Sequence, residues 1–132
     1  MMDYAVPLQR WLYEALTQPA IQGICAVVDH RPQHAHYPFI EIAGSEFVED
    51  DAQCAPGGSH VLTLHIWSQG RGQSEVKQIM GEIYERLHDK CPTIAGLSTC
   101  FSRVDQTRVL NDPDGKTRHG VMTIQFTCRK EI

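Results

Sequence analysis

The order of hydrophobic periodicities predicts an α+β domain: a mostly antiparallel β-sheet, two α-helices packed on one face of it, and a projecting β-hairpin. Three observations carry this. From Val61 to Trp67 the side chains alternate, with Leu62, Leu64 and Ile66 on one face and Thr63, His65 and Trp67 on the other, the period of a strand. After Gly70 and Gly72 the period changes, and Val76, Ile79, Met80, Ile83, Tyr84 and Leu87 fall at the three-and-four spacing of an amphipathic helix. From Arg118 to Cys128 alternation returns, with Met122, Ile124, Phe126 and Cys128 facing one way and Val121, Thr123, Gln125 and Thr127 the other. A strand that turns through glycines into a helix lets the helix fold back and cover its own sheet.

Taken in order, the chain opens with a helix. Asp3 caps it, Pro7 suits a first turn, and Leu8, Trp11, Leu12, Ala15 and Leu16 form an apolar stripe that ends before Pro19. A short apolar strand, Ile24 to Val28, leads into the irregular connection DHRPQHAHYP. A second strand begins near Tyr37, where Phe39, Glu41 and Ala43 alternate with Ile40 and Ile42. The segment Gly44 to Gly58 is acidic and then glycine-rich. It extends this strand through Phe47 and Val48 into the projecting hairpin, with a mobile tip, whose other arm starts at His60. The central helix starts at Ser74 or Gly72 as cap, carries Glu75 in its first turn and His88 and Lys90 at its end, and stops at Pro92. Glu82 and Arg86, one turn apart in the favourable order, read as a solvated pair on its outer face. Leu97 to Val104 alternates as a further strand, and NDPDG, Asn111 to Gly115, turns the chain into the last one.

The chain has 132 residues, enough for a single domain spanning 1–132 with a core of its own. Its formal net charge is -4, and neither Lys nor Arg forms a run, which excludes a nucleic-acid groove read from charge. No apolar stretch approaches a membrane span and no leader is recognisable, so the reading is a soluble, unexported chain. The 5 cysteines, odd in number and scattered, fit reduced thiols, several of them in the core, better than a disulfide framework.

The residues offer little catalytic chemistry. Gly70, Gly72 and Glu75 open a helix after a strand, but a third glycine is missing and Glu75 would set a carboxylate where a pyrophosphate must sit. His30, His34 and His36 crowd one loop, yet no CxxC or HExxH spacing completes a metal ligand set. Asp112, Asp114 and Gly115 imitate a calcium loop until Lys116 and Thr123 stand where oxygen ligands are needed. No GxSxG elbow or activated cysteine motif is present. His65 and Trp67, on the strand face opposite the core, mark either a contact surface or a second layer of core under a loop.

Four segments together resemble the tail completion, or tail terminator, family of tailed bacteriophages and related gene transfer agents. They are the LQRWLYEAL helix, the YPFIEI strand, the HVLTLHIWSQGRGQSEVKQIMGEIYERL block and the late DPDGKTRHGVMTIQF strand. The most specific piece is the strand ending in IWS with its glycine turn and helix, spaced correctly from DGKTRHG. The histidine and cysteine content departs from the family pattern. The resemblance implies a structural virion protein, not an enzyme, with no cofactor. It implies a ring of about six copies on the head-proximal end of the tail tube, ending tube growth and joining tail to head. The implied partners are further copies of the chain, the tail tube protein and a head-tail connector or head completion protein. DNA would pass through without specific binding, which a basic lumen would impede, and no membrane is involved. The implied location is the tail or neck of the virion, reached from the host cytoplasm during assembly. Candidate ring or tube contacts are His65 and Trp67, the acidic arm at Glu49, Asp50 and Asp51, and Asp112 and Asp114 in the loop. The alternatives are a neck adaptor ring on the portal side and, from another class, a small metal- or thiol-dependent enzyme using the histidine loop.

Overall fold

A strand that is apolar on one face and bordered on both edges by other strands becomes the centre of a sheet, and β3 (Gly57–Ser68) has that place. The computed structural model describes residues 2–21, 24, 26–31, 33, 36–51 and 55–131, without the Met2 side chain. Ahead of β3 come a 3-10 turn (Met2–Tyr4), α1 (Ala5–Thr17), β1 (Val27–Val28) and β2 (Phe39–Glu49). After it come α2 (Ser74–Leu87), β4 (Leu97–Asn111) and β5 (Arg118–Lys130). The strand order is β1-β2-β3-β5-β4, antiparallel throughout except for the short parallel pairing of β1 with β2.

One face of this sheet is the core. Leu62, Leu64 and Ile66 meet Ile40 and Ile42 of β2 and Met122, Ile124 and Phe126 of β5, all buried. Val76, Ile79, Met80, Ile83 and Leu87 of α2 and Leu8, Leu12 and Leu16 of α1 cover them, and the Trp11 ring stands edge-on to Phe126 at 5.8 Å. Each such aliphatic side chain contributes about 1.5–3 kcal/mol by leaving water. Both helices therefore lie on one face, as the periodicities require. Gly120 lets α2 come close: a Cβ there would stand 2.6 Å from Met80 Sδ and 3.1 Å from Val76 Cγ2.

Several local expectations are corrected. Tyr84 leaves the buried stripe; it is 42% exposed and stacks on His88 at 4.5 Å. Neither helix has a side-chain N-cap bond: the cap positions are Tyr4 and Gln73, and Asp3 instead pairs with Lys130 at 3.6 Å. Arg86 does not form the solvated pair with Glu82; its Nη1 donates to the carbonyls of Ala15, Leu16 and Pro19, where α1 leaves acceptors unpaired. The first strand is confined to Val27–Val28, and β4 runs beyond Val104 to Asn111 through an irregularity at Val104/Gln106. The β2–β3 hairpin forms over Gly44–Glu49, but β3 is paired along its whole length with β5, so the sheet carries the arm. Its tip falls largely on residues 52–54, outside the described residues.

Candidate assembly surfaces

The face of the sheet opposite the helices follows from the same alternation. Trp67 on β3 lies opposite Phe39 on β2 and His119 on β5, and His65 lies opposite Glu41 and Val121. Side chains directly across an antiparallel pair meet on one face. His119 therefore stacks on Trp67, ring centroids 3.9 Å apart and 7° from parallel, while its Nε2 stands 2.6 Å from His65 Nδ1. Trp67 Nε1 donates to Glu41 Oε1 at 3.2 Å, and the Arg31 guanidinium lies 4.6 Å over the Trp67 ring. Arg31 also donates to Tyr37 Oη at 3.1 Å, and Tyr37 packs on the buried Phe39.

His65 and Trp67 are thus half-buried members of a second cluster, partly roofed by Arg31 and Tyr37 from the connection ahead of β2. Burial, and then the neighbouring His65, hold the His119 imidazole below its ordinary pKa. His119, Arg31 and Glu41 were not singled out from sequence. His119 had a signal available, because a last strand starting at Arg118 with Val121 facing outward turns His119 outward as well. Arg31 had none, since it comes from irregular chain.

The loop residues gather at the same end. Asp114 accepts from the N–H groups of Lys116 and Thr117 and from Thr117 Oγ1, at 2.9, 2.8 and 2.6 Å, and these bonds hold its carboxyl down at about 2. Gly115, at φ 75°, completes the turn. Gln73 donates to Asn111 and Arg118 to the Gly72 carbonyl, tying this loop to the β3–α2 turn. In that turn Glu75 accepts from Ser68 Oγ at 2.6 Å, so its carboxylate braces the turn. Asp112 is half-exposed beside it and donates its N–H to the Thr117 carbonyl.

Glu49, Asp50 and Asp51 lie at the opposite end of the sheet, where Gly57 pairs with Arg129. Asp50 is bridged to Arg129 at 2.9 Å, and Asp51 Oδ1 accepts from Gly57 N at 3.2 Å. The candidate residues therefore form two groups, one at each end of the strands. His34 lies outside the described residues and His36 is exposed. Among the described residues, no group of three His, Cys, Asp or Glu gathers as a metal site.

These features define a small α+β domain, many of whose polar side chains brace turns, the end of α1 and cross-strand contacts. The family model for tail completion protein gp17 matches residues 10–129, and the chain belongs to that family. The family is one of structural proteins of the phage virion and not of enzymes. The tail completion protein gp17 of Bacillus phage SPP1 is 23% identical over 110 residues, spanning 83% of this chain and 81% of that protein. The fold superposes on a chain from the virion of a native gene transfer agent particle with a TM-score of 0.79 at 16% identity. That match covers 96% of this chain and 98% of the other.

Proposed function

We propose that this protein closes the head-proximal end of the tail tube as a ring of about six copies, ending tube growth and presenting a surface to the head connector. The observation that carries the reading is the family match across residues 10–129, which takes in α1 from Arg10 onward, all of α2, and the five strands up to Arg129. The geometry suits it. A ring subunit between two different structures needs two different ends, and here His65, Trp67, Asp112 and Asp114 mark one end of the sheet and Glu49, Asp50 and Asp51 the other. DNA passes through such a ring without specific contacts, consistent with a net charge of -4.

The test is the solution mass of the purified protein by light scattering over a range of concentrations, followed by electron microscopy with isolated tail tubes. Rings of about six subunits, free or on tube ends only, are expected. A monomer that ignores tube ends at every concentration refutes the reading. Rings that bind portal complexes in preference to tubes would move the protein to the neck.

A further inference from the structure

An antiparallel sheet leaves two edges, and in this one each edge is half closed. At one end β1 covers β2, pairing with Ile40 and Glu41. On the other edge the start of β4 is covered by the chain leaving α2: Ser102 exchanges backbone bonds with Lys90, at 2.8 and 3.4 Å, and Val104 N donates to His88 Nδ1 at 3.0 Å. What remains open is β2 over residues 44–48 and β4 over residues 105–111, at diagonally opposite corners. Among the described residues no backbone hydrogen bond reaches either outer edge.

We infer that these two half-edges pair with each other between neighbouring copies, so that β4 of one copy continues its sheet into β2 of the next. The inference rests on the ring reading above and supplies its interface. Three properties of the open segments fit. The first is backbone phase. Counting from the Asp50 N–H to Gly57 bond, alternation turns the N–H groups of Ser45 and Phe47 outward. Counting from the Asp112 N–H to Thr117 bond, it turns those of Thr107 and Val109 outward. β2 and β4 run antiparallel, so Ser45 opposite Val109 and Phe47 opposite Thr107 form one ladder with Glu46 opposite Arg108 between them.

Charge is the second property. Glu46, opposite Val61, and Arg108, opposite Val121, both project from the face away from the helices, both are exposed, and neither has an ion-pair partner among the described residues. Arg103 and Asp105 already neutralise each other at 3.1 Å. The third is stagger. Glu46 stands level with Val61 of β3, and Arg108, through Val121, stands level with His65, so the half-edges are four β3 residues apart, about 14 Å along the strands at 3.4 Å each. One copy contributes β2, β3, β5 and β4 across the ring, about 19 Å at 4.8 Å per strand. Copies joined through these corners at one height therefore have strands tilted by about 35°, the inclination of strands in closed barrels. The contact joins different surfaces of the two copies, as a closed ring demands.

The experiment uses the full chain and five variants, each checked for a wild-type thermal transition because both positions are exposed. Glu46→Arg alone and Arg108→Glu alone are expected to lower the ring fraction at least tenfold, and the double exchange to restore it. In the second arm, Glu46→Cys with Arg108→Cys, oxidised under ring-forming conditions, should give a ladder of covalent multimers on a non-reducing gel. Glu46→Cys alone, with the native cysteines, should give none. Wild-type rings that survive both single exchanges, or a double Cys chain that stays monomeric on the gel, overturn the pairing and leave the ring standing. A wild-type chain that never forms rings overturns both.

Discussion

Gly120 offers a direct test of how α2 is seated on the sheet. It lies on the core face of β5, opposite Ile66, and a Cβ there would stand 2.6 Å from Met80 Sδ, 3.1 Å from Val76 Cγ2 and 3.4 Å from Ile66 Cβ. Gly120→Ala asks the flexible Met80 thioether to move and Val76 Cγ2 to give slightly, at roughly 1 kcal/mol of overpacking. The unfolded chain's lost freedom returns about 0.5–1 kcal/mol, so the net effect is small. Gly120→Val adds two further carbons against Val76 and Ile66, which cannot swing aside, and overpacking rises to about 3 kcal/mol. Strand propensity and chain entropy offset about 1, leaving about 2 kcal/mol of destabilisation. With a urea dependence of about 2 kcal/mol per molar, the unfolding midpoint should fall by about 1 M. Met80→Ala alone should cost about 2–5 kcal/mol through the cavity it leaves. Combined with Gly120→Val it should cost less than the sum by about 1–2 kcal/mol, since the valine fills that space. A Gly120→Val midpoint at or above wild type, or strict additivity in the pair, would refute the close approach of α2.

Three further outcomes are expected. Ser102 Oγ donates to the Leu87 carbonyl at 2.7 Å inside the core, so Ser102→Ala should cost about 1–2 kcal/mol, read as a lower denaturation midpoint with unchanged urea dependence. Because the folded His119 has a pKa below the ordinary 6.5, the unfolded chain takes up a proton first as pH falls. The stability this group contributes is complete above about pH 6.5 and lost progressively below it, so melting temperatures measured from pH 7.5 to 5 should fall less steeply in His119→Gln than in wild type. Cys100 and Cys128 are buried with sulfurs 3.2 Å apart, and the shared hydrogen bond, with burial, pushes the Cys100 thiol up. Alkylation at neutral pH followed by peptide mass spectrometry should modify exposed Cys91 well before either, and equal rates would contradict the packing.

The parts of the fold that sequence revealed are those whose periodicity decides burial. Leu62, Leu64 and Ile66 of β3, the α2 stripe from Val76 to Leu87 apart from Tyr84, and the β5 set from Met122 to Cys128 lie where alternation or three-and-four spacing puts them. The second half of β4 was hidden because, past the irregularity at Val104/Gln106, its side chains are mostly exposed and no apolar rhythm survives. Arg86 was misassigned for a different reason. Helical spacing shows its neighbour Glu82, but its actual acceptors belong to the end of α1 and to Pro19 just past it, about 70 residues away. The His65–Trp67–His119 cluster was half legible: the outward face of β3 was visible, whereas the partner depends on β3–β5 register, a property of the assembled sheet.

The open half-edges also bear on why the proposed pairing would favour a ring over other associations. Bare strand edges invite any edge to pair, and the simplest self-association is a two-fold contact of like with like. In the phase set by their outward N–H groups, β2 against β2 brings the acidic Glu46 segments of both copies together, and β4 against β4 does the same for Arg108. Like charges across strands are destabilising, whereas the unlike contact pairs Glu46 with Arg108. The same two residues thus oppose both closed dimers and favour the head-to-tail contact. Covering the other half of each edge, by β1 on one side and by His88 and Lys90 on the other, confines the overlap to the two open corners, and the Glu46–Arg108 pairing selects one register within it. A register restricted in this way fixes the strand tilt, and the tilt is what determines whether successive copies close on themselves or continue as a filament.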